Sequence, residues 1–85
     1  MEIGLHRKFL KRFCKLSYTI RLKFLERKEL FFHAPFHPLL NNHSVHETYP
    51  GWRSINVTGD YRALFEEYGD RIVFMTIGTH SELYS

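Results

Sequence analysis

Cysteine is almost missing from this 85-residue chain: Cys14 stands alone, which excludes an internal disulfide framework and leaves packing to hold a small domain together. It lies in a basic, helix-like segment and reads as a small apolar residue, buried or half-buried, with no chemistry of its own. Long apolar runs are missing as well. None approaches the roughly 18 residues needed to span a bilayer, and the N-terminus lacks the basic, apolar and small-residue order of a secretory leader, so a cytoplasmic protein with no membrane partner is expected. Proline and glycine are few, and there is no repeat, low-complexity tract or dividing linker. A single domain over residues 1–85 is therefore expected.

Acidic residues are scarce in the first third. Residues 1–28 carry nine Lys and Arg against Glu2 and Glu26, whereas residues 29–85 carry three Arg against seven Asp and Glu. The modest net charge of +3 thus conceals a cationic block. Lys8, Lys11, Arg12 and Lys15 form a face suited to a polyanion or an acidic protein, because phosphate contacts release condensed counterions and attract the ligand from a distance. A solvated helix face is the plainer alternative. What the chain has in abundance is aromatic surface, with eight Phe and five Tyr. A domain of this length buries only about 60% of its unfolded surface, so large rings are one way to fill a thin core.

Residues 2–6 are short enough for a first strand. Phe9, Leu10 and Phe13 then recur at helical spacing, with the basic residues on the remaining arc, and predict a short amphipathic helix over 7–15. Ser17 reads as the N-cap of a second helix ending before Pro35, with Tyr18, Leu22, Leu25 and Phe32 on one apolar stripe, joined by Phe24 and Phe31. Residues 33–50, rich in His, Pro and Asn, predict a loop with one helical turn near Leu39 and Leu40. Three antiparallel strands follow. Arg53, Ile55 and Val57 alternate with Ser54 and Asn56, and Gly69-Asp70 separates the apolar runs 61–68 and 71–77, of which the last, apolar on both sides, is expected to be central. For Thr58-Gly59-Asp60 a three-residue loop with Gly59 left-handed sets Val57 opposite Tyr61 and Ile55 opposite Ala63, leaving Asn56 and Arg62 together on the other face.

The run Pro38-Leu39-Leu40-Asn41-Asn42-His43 and the closing Gly78-Thr79-His80, with Asp60-Tyr61-Arg62 between them, resemble the RelE/ParE superfamily of toxins from type II toxin-antitoxin systems, and within it the YafQ-like mRNA interferases. The resemblance implies an α+β, RelE-like fold: a short N-terminal strand, a two-helix hairpin, then three antiparallel strands in a small twisted sheet. It also implies an active site at His43, Asn56, Asp60 with Tyr61, His80 and Tyr84, a cognate antitoxin as partner, and mRNA, on the ribosome, as substrate. Asn56 departs from the pattern, which has a histidine there. An amide hydrogen-bonds but exchanges no proton at neutral pH, so Asn56 is expected to orient rather than to catalyse.

The residue chemistry suits metal-free RNA cleavage. A base must deprotonate the 2′-hydroxyl, a cation must neutralise the phosphorane, and an acid must protonate the leaving 5′-oxygen. His43 and His80 are the candidate acid-base pair, with Asp60 orienting one of them or acting as base itself. Arg62, and secondarily Arg53, would clamp the phosphate by a bidentate contact. Tyr61, Tyr84 and Trp52 offer π faces for unstacked bases. His33-x-x-x-His37 and His43-x-x-His46 have metal-like spacing, but they lie in a Pro- and Asn-rich loop without a cysteine pair, so no metal or cofactor is expected. Two other functions compete: a ParE-like toxin that binds DNA gyrase without catalysis, and a nucleic-acid or protein-binding module that has lost activity.

Overall fold

Side-chain caps start both helices of the hairpin. The computed structural model of the chain describes residues 1–84. After a first strand, β1 (Glu2–Leu5), the His6 Nδ1 accepts the Lys8 N–H at 3.0 Å and opens α1 (Arg7–Phe13). Ser17 does the same for α2 (Tyr18–His33), its Oγ accepting the Ile20 N–H at 3.3 Å. Each cap satisfies an amide that the helix itself leaves without a partner. Ala34, turned out of the helical region at φ −148° and ψ 77° ahead of Pro35, ends α2.

The rest of the chain is mostly sheet. A 3₁₀ turn at Pro38–Leu40 leads into β2 (His43–Ser44), β3 (Trp52–Asn56), β4 (Tyr61–Tyr68), β5 (Arg71–Thr79) and a closing α3 (His80–Tyr84). The five strands are ordered β1-β5-β4-β3-β2, with β1 parallel to β5 and every other pair antiparallel. This is the expected α+β architecture, and β5 is an interior strand as anticipated. Two elements go beyond the sequence reading. The loop over 33–50 contains the edge strand β2, and a short helix follows β5. A sequence signal for that helix exists: Thr79-x-x-Glu82 is a capping box, in which the Glu82 N–H donates to Thr79 Oγ1 at 3.2 Å and the Thr79 N–H donates to Glu82 Oε1 at 2.7 Å.

Hairpin register agrees with the expectation, since Ile55 faces Ala63, Asn56 faces Arg62, and the Val57 N–H meets the Tyr61 carbonyl at 2.9 Å. The turn chemistry does not. Gly59 is absent from the positive-φ residues, and the turn is closed instead by Thr58, whose hydroxyl accepts the Asp60 and Tyr61 N–H groups at 3.2 and 2.9 Å. At the second hairpin Gly69 does take a positive φ, +62°, as a two-residue turn with glycine first requires.

A register shift where Leu64 and Phe65 meet β5 explains why β5 reads as apolar on both sides. Leu64 pairs with Thr76 but Phe65 pairs with Phe74, so Met75 is the extra residue and the strand changes parity there. Ile72, Phe74 and Ile77 consequently share the main core despite their odd and even positions. Phe74 is packed by Phe24 and Phe65 at ring separations of 5.2 and 5.5 Å, both edge-on, and Phe9 leans on Phe24 at 4.9 Å. Such pairs add about 0.5–1.5 kcal/mol each beyond the area they bury.

The expectation for α2 is corrected. Phe24 and Phe31 are buried, but the stripe of Tyr18, Leu22, Leu25 and Phe32 is exposed. α2 is apolar on two faces, and the sheet takes the one bearing the phenylalanines. Leu10 of α1 is exposed as well, and Cys14 sits on the surface rather than in the core.

Candidate functional site: a cleft between β2, β4 and α3

Strand alternation sends Ile55, Val57, Ala63 and Phe65 to the helix-covered face, and Ser54, Asn56, Arg62 and Leu64 to the other. On that second face a smaller cluster of Val45, Leu64 and Leu83, flanked by Tyr49, Trp52 and Tyr84, seats α3. Beside it opens a concavity of about 550 Å³ lined by His43, Ser44, Val45, His46, Glu47, Thr48, Arg62, His80 and Tyr84.

His43 is oriented from behind. Asn41 adopts the left-handed conformation at φ +46°, which asparagine tolerates better than most residues, and its carbonyl meets the His43 Nδ1 at 2.7 Å. A carbonyl only accepts, so Nδ1 carries the proton, and in the neutral ring Nε2 holds the free lone pair.

Arg62 is fixed by the turn beneath it. Its Nη1 donates to the carbonyls of Thr58, Gly59 and Tyr61 at 3.0, 3.1 and 3.2 Å. Nε and Nη2 remain for a bidentate anion contact. The Thr58 hydroxyl shapes the turn and the turn's carbonyls hold the guanidinium, so strand geometry and charge placement are one construction.

His80 begins α3, where its backbone N–H donates to the Asp60 carbonyl at 3.1 Å and its ring lies 4.7 Å from that of Tyr84, one helical turn on. Burial, and then Tyr49 beside it, pushes the Tyr84 phenol up from its ordinary value, with Arg62 pulling it back. The phenol stays neutral at physiological pH and is a hydrogen-bond donor next to the guanidinium. Tyr49 anchors the helix that carries both groups: its hydroxyl donates to the Leu83 carbonyl at 2.5 Å and its ring stacks on Trp52 at 5.1 Å. Arg12 of α1 reaches Glu82 at 3.9 Å from the far side, across Gly78, where an added Cβ would come within 2.7 Å of the guanidinium.

His43, Arg62, His80 and Tyr84 are therefore brought together, with Asn56 paired to Arg62 in register and its Oδ1 buried without a hydrogen-bond partner. Four sequence candidates are not. Trp52 is spent on the small cluster, stacking on Tyr49 and donating from Nε1 to Glu66 at 2.7 Å. Arg53 lies on the helix-facing side by alternation, donating to Asn42 Oδ1 at 2.9 Å over the Phe36 ring. Tyr61 packs against the main core and lines a separate shallow hollow with Arg12, Lys15 and Glu82. Asp60 touches His80 through its backbone, and its carboxylate is not in the cleft wall.

Residues to which the sequence reading gave no place in the site are Asn41 and Tyr49, which orient others, and His46, Glu47 and Thr48, which line the cleft. The histidine spacings that suggested a metal have other uses. His33 pairs with Glu29 at 2.9 Å, His37 Nδ1 accepts the Leu39 N–H at 3.1 Å, and His46 Nδ1 accepts the Gly51 N–H at 2.9 Å. Lys8, Lys11, Arg12 and Lys15 are exposed.

No protein-family model and no curated protein matches the sequence. Solved structures do match. YafQ from Escherichia coli BL21(DE3) aligns with a TM-score of 0.74 at 18% identity, covering 99% of this chain and 98% of its own. A YoeB/ParE toxin from Agrobacterium tumefaciens aligns at 0.76 and 14% identity, covering 94% and 99%. The RelB-RelE antitoxin-toxin complex from Methanococcus jannaschii aligns at 0.75 and 20% identity, covering 95% and 94%. These identities are low and the coverage is nearly complete, so what the chain shares with them is the architecture: it has the RelE-like toxin fold.

Proposed function

We propose that this chain is a toxin endoribonuclease of a type II toxin-antitoxin system, which cuts mRNA on the translating ribosome and is silenced by a cognate antitoxin. The observation that carries the reading is the cleft itself, lined by a histidine with its Nε2 lone pair free, a pre-fixed guanidinium and a second histidine. His43 Nε2 takes the proton of the 2′-hydroxyl, and the 2′-oxygen attacks phosphorus. Arg62 neutralises the phosphorane through Nε and Nη2, with Tyr84 donating beside it. His80 protonates the departing 5′-oxygen, leaving a 2′,3′-cyclic phosphate and a free 5′-hydroxyl. Each positioned acid or base supplies about 10² to 10⁴-fold. Asn56 holds a phosphate oxygen or the Arg62 side chain in place; Asp60 acts through the backbone of His80.

Two facts support the toxin reading beyond the site. The fold is shared with toxins, one of them in complex with its antitoxin, and the basic face of Lys8, Lys11, Arg12 and Lys15 offers the polyanion contact that ribosome binding requires. The test is induction in a bacterial host followed by mapping of mRNA ends. Cuts in phase with codons that vanish in His80→Ala are expected. Growth arrest that persists unchanged in His80→Ala would move the assignment to a non-catalytic target such as DNA gyrase.

A further inference from the structure

The cleft wall formed by residues 43–48 holds two histidines in opposite tautomers. His43 donates from Nδ1 to the Asn41 carbonyl, whereas His46 Nδ1 accepts the Gly51 N–H at 2.9 Å. In the neutral His46 ring Nε2 therefore carries the proton, and the free polar group of that ring is a donor. The segment that presents it is pinned. The His46 N–H donates to Ser44 Oγ at 3.2 Å, the Val45 carbonyl accepts the Thr48 and Tyr49 N–H groups at 3.1 and 2.8 Å, and the Val45 side chain is buried. Gly51 takes the left-handed φ of +83° at the point where its N–H meets the imidazole. Next to this fixed donor stands Glu47, which also lines the cleft and has no ion-pair partner among the described residues.

Charge makes Glu47 informative. RNA phosphates repel a carboxylate, and Arg62 already supplies the cation that a phosphate needs. What a carboxylate accepts from RNA is the N–H groups of a base edge. Single-stranded RNA offers such edges, because its unstacked bases expose their Watson–Crick sides. Guanine sets N1–H and N2–H side by side for two carboxylate oxygens, with O6 beside them for a neighbouring donor. Adenine, cytosine and uracil each give a carboxylate a single donor position on that edge. The nucleotide concerned is assigned by the same wall. With His43 taking the 2′-hydroxyl proton, the ribose on the 5′ side of the cut lies against residues 43–48, and the leaving nucleotide lies toward His80.

We propose that His46 and Glu47 bind the base of the nucleotide on the 5′ side of the cut and select guanine. Glu47 accepts N1–H and N2–H, and His46 Nε2–H donates to O6, an assignment that rests on the nuclease reading above for the placement of that nucleotide.

The experiment is an NMR titration of the full chain with nucleoside 3′-monophosphates, each of which brings one base, one 2′-hydroxyl and one phosphate and has no bond to be cut. 3′-GMP is expected to bind at least about tenfold more tightly than 3′-UMP. 3′-IMP, which lacks only the N2 amino group, should fall to the 3′-UMP level. Glu47→Gln should bring 3′-GMP to within about threefold of 3′-IMP. His46→Asn keeps an acceptor where Nδ1 stands and removes the donor at Nε2. It should weaken 3′-GMP binding about threefold or more, with the circular-dichroism spectrum and Tm kept. Equal affinity for 3′-GMP and 3′-IMP, a guanine preference that survives Glu47→Gln, full 3′-GMP affinity in His46→Asn, or binding of no nucleotide would overturn the proposal. No cleavage is read in this titration. Equal binding of all the nucleotides would therefore remove the guanine assignment alone, while the nuclease reading stands or falls on the mapped mRNA ends.

Discussion

The two faces of the sheet are built differently. Beneath α1 and α2 the contact is a continuous packing of five buried phenylalanines, Phe9, Phe24, Phe31, Phe65 and Phe74, with aliphatic residues between them. On the other face the buried apolar cluster is the smaller one of Val45, Leu64 and Leu83, and aromatic edges, backbone caps and single hydrogen bonds complete the layer. One face holds the fold together and the other leaves room for chemistry. A small sheet covered fully on both sides would have no cleft; a sheet bare on one side could not hold His80 and Tyr84 in place. The short α3, secured by its capping box and by Tyr49, is the compromise.

Substitutions should separate the two faces. Phe24→Ala should have the largest effect, about 3–5 kcal/mol of stability, most of what a domain this small possesses; urea unfolding would show it, together with loss of every activity. His80→Ala should cost about 10² to 10⁴-fold in cleavage of a defined mRNA on programmed ribosomes while the urea midpoint stays near that of wild type. A large midpoint shift in His80→Ala would mean that the two faces are not separable.

Tyr49→Phe sharpens the comparison, since it removes only the hydroxyl that holds the Leu83 carbonyl. A loss of about 0.5–1.5 kcal/mol in stability is expected, with a disproportionate drop in cleavage because α3 carries two cleft residues. Cleavage falling only in step with the folded fraction would assign Tyr49 to stability alone.

The smallest effect concerns Glu82. Its carboxyl is held below the ordinary value of 4.5, by the Thr79 backbone N–H first and the Thr79 side chain second, with Arg12 adding a lesser pull. A depressed folded-state value means that the contribution is present above 4.5 and is lost as pH falls through the folded value. Glu82→Gln should therefore lower Tm slightly at neutral pH, and the difference from wild type should close in acid. Thermal scans at several pH values would read it, and a gap that widens in acid would contradict the capping role.

Much of this was legible in the residues. Ser17 signals the start of α2, Gly69-Asp70 the second hairpin, and the alternation in 53–57 with the hairpin register places Asn56 and Arg62 on one face. Arg53, nominated as a phosphate ligand, already shared a parity with Ile55 and Val57; the pattern argued against it. The Thr79-x-x-Glu82 box was equally readable as the start of a helix.

Local interactions are written in sequence because they act over a few residues: caps, turns, strand alternation and hairpin register follow from side-chain type and spacing. Their limit is seen in α2, which is apolar on two sides. Periodicity finds both stripes, but only the sheet decides which one is buried, because that choice depends on how the rings of Phe24 and Phe31 fit against Phe65 and Phe74. The cleft has the same origin. His43, Arg62 and His80 come from β2, β4 and α3, and their meeting depends on strand order and on the docking of α3 by Tyr49, contacts that span distances along the chain over which no sequence spacing carries information.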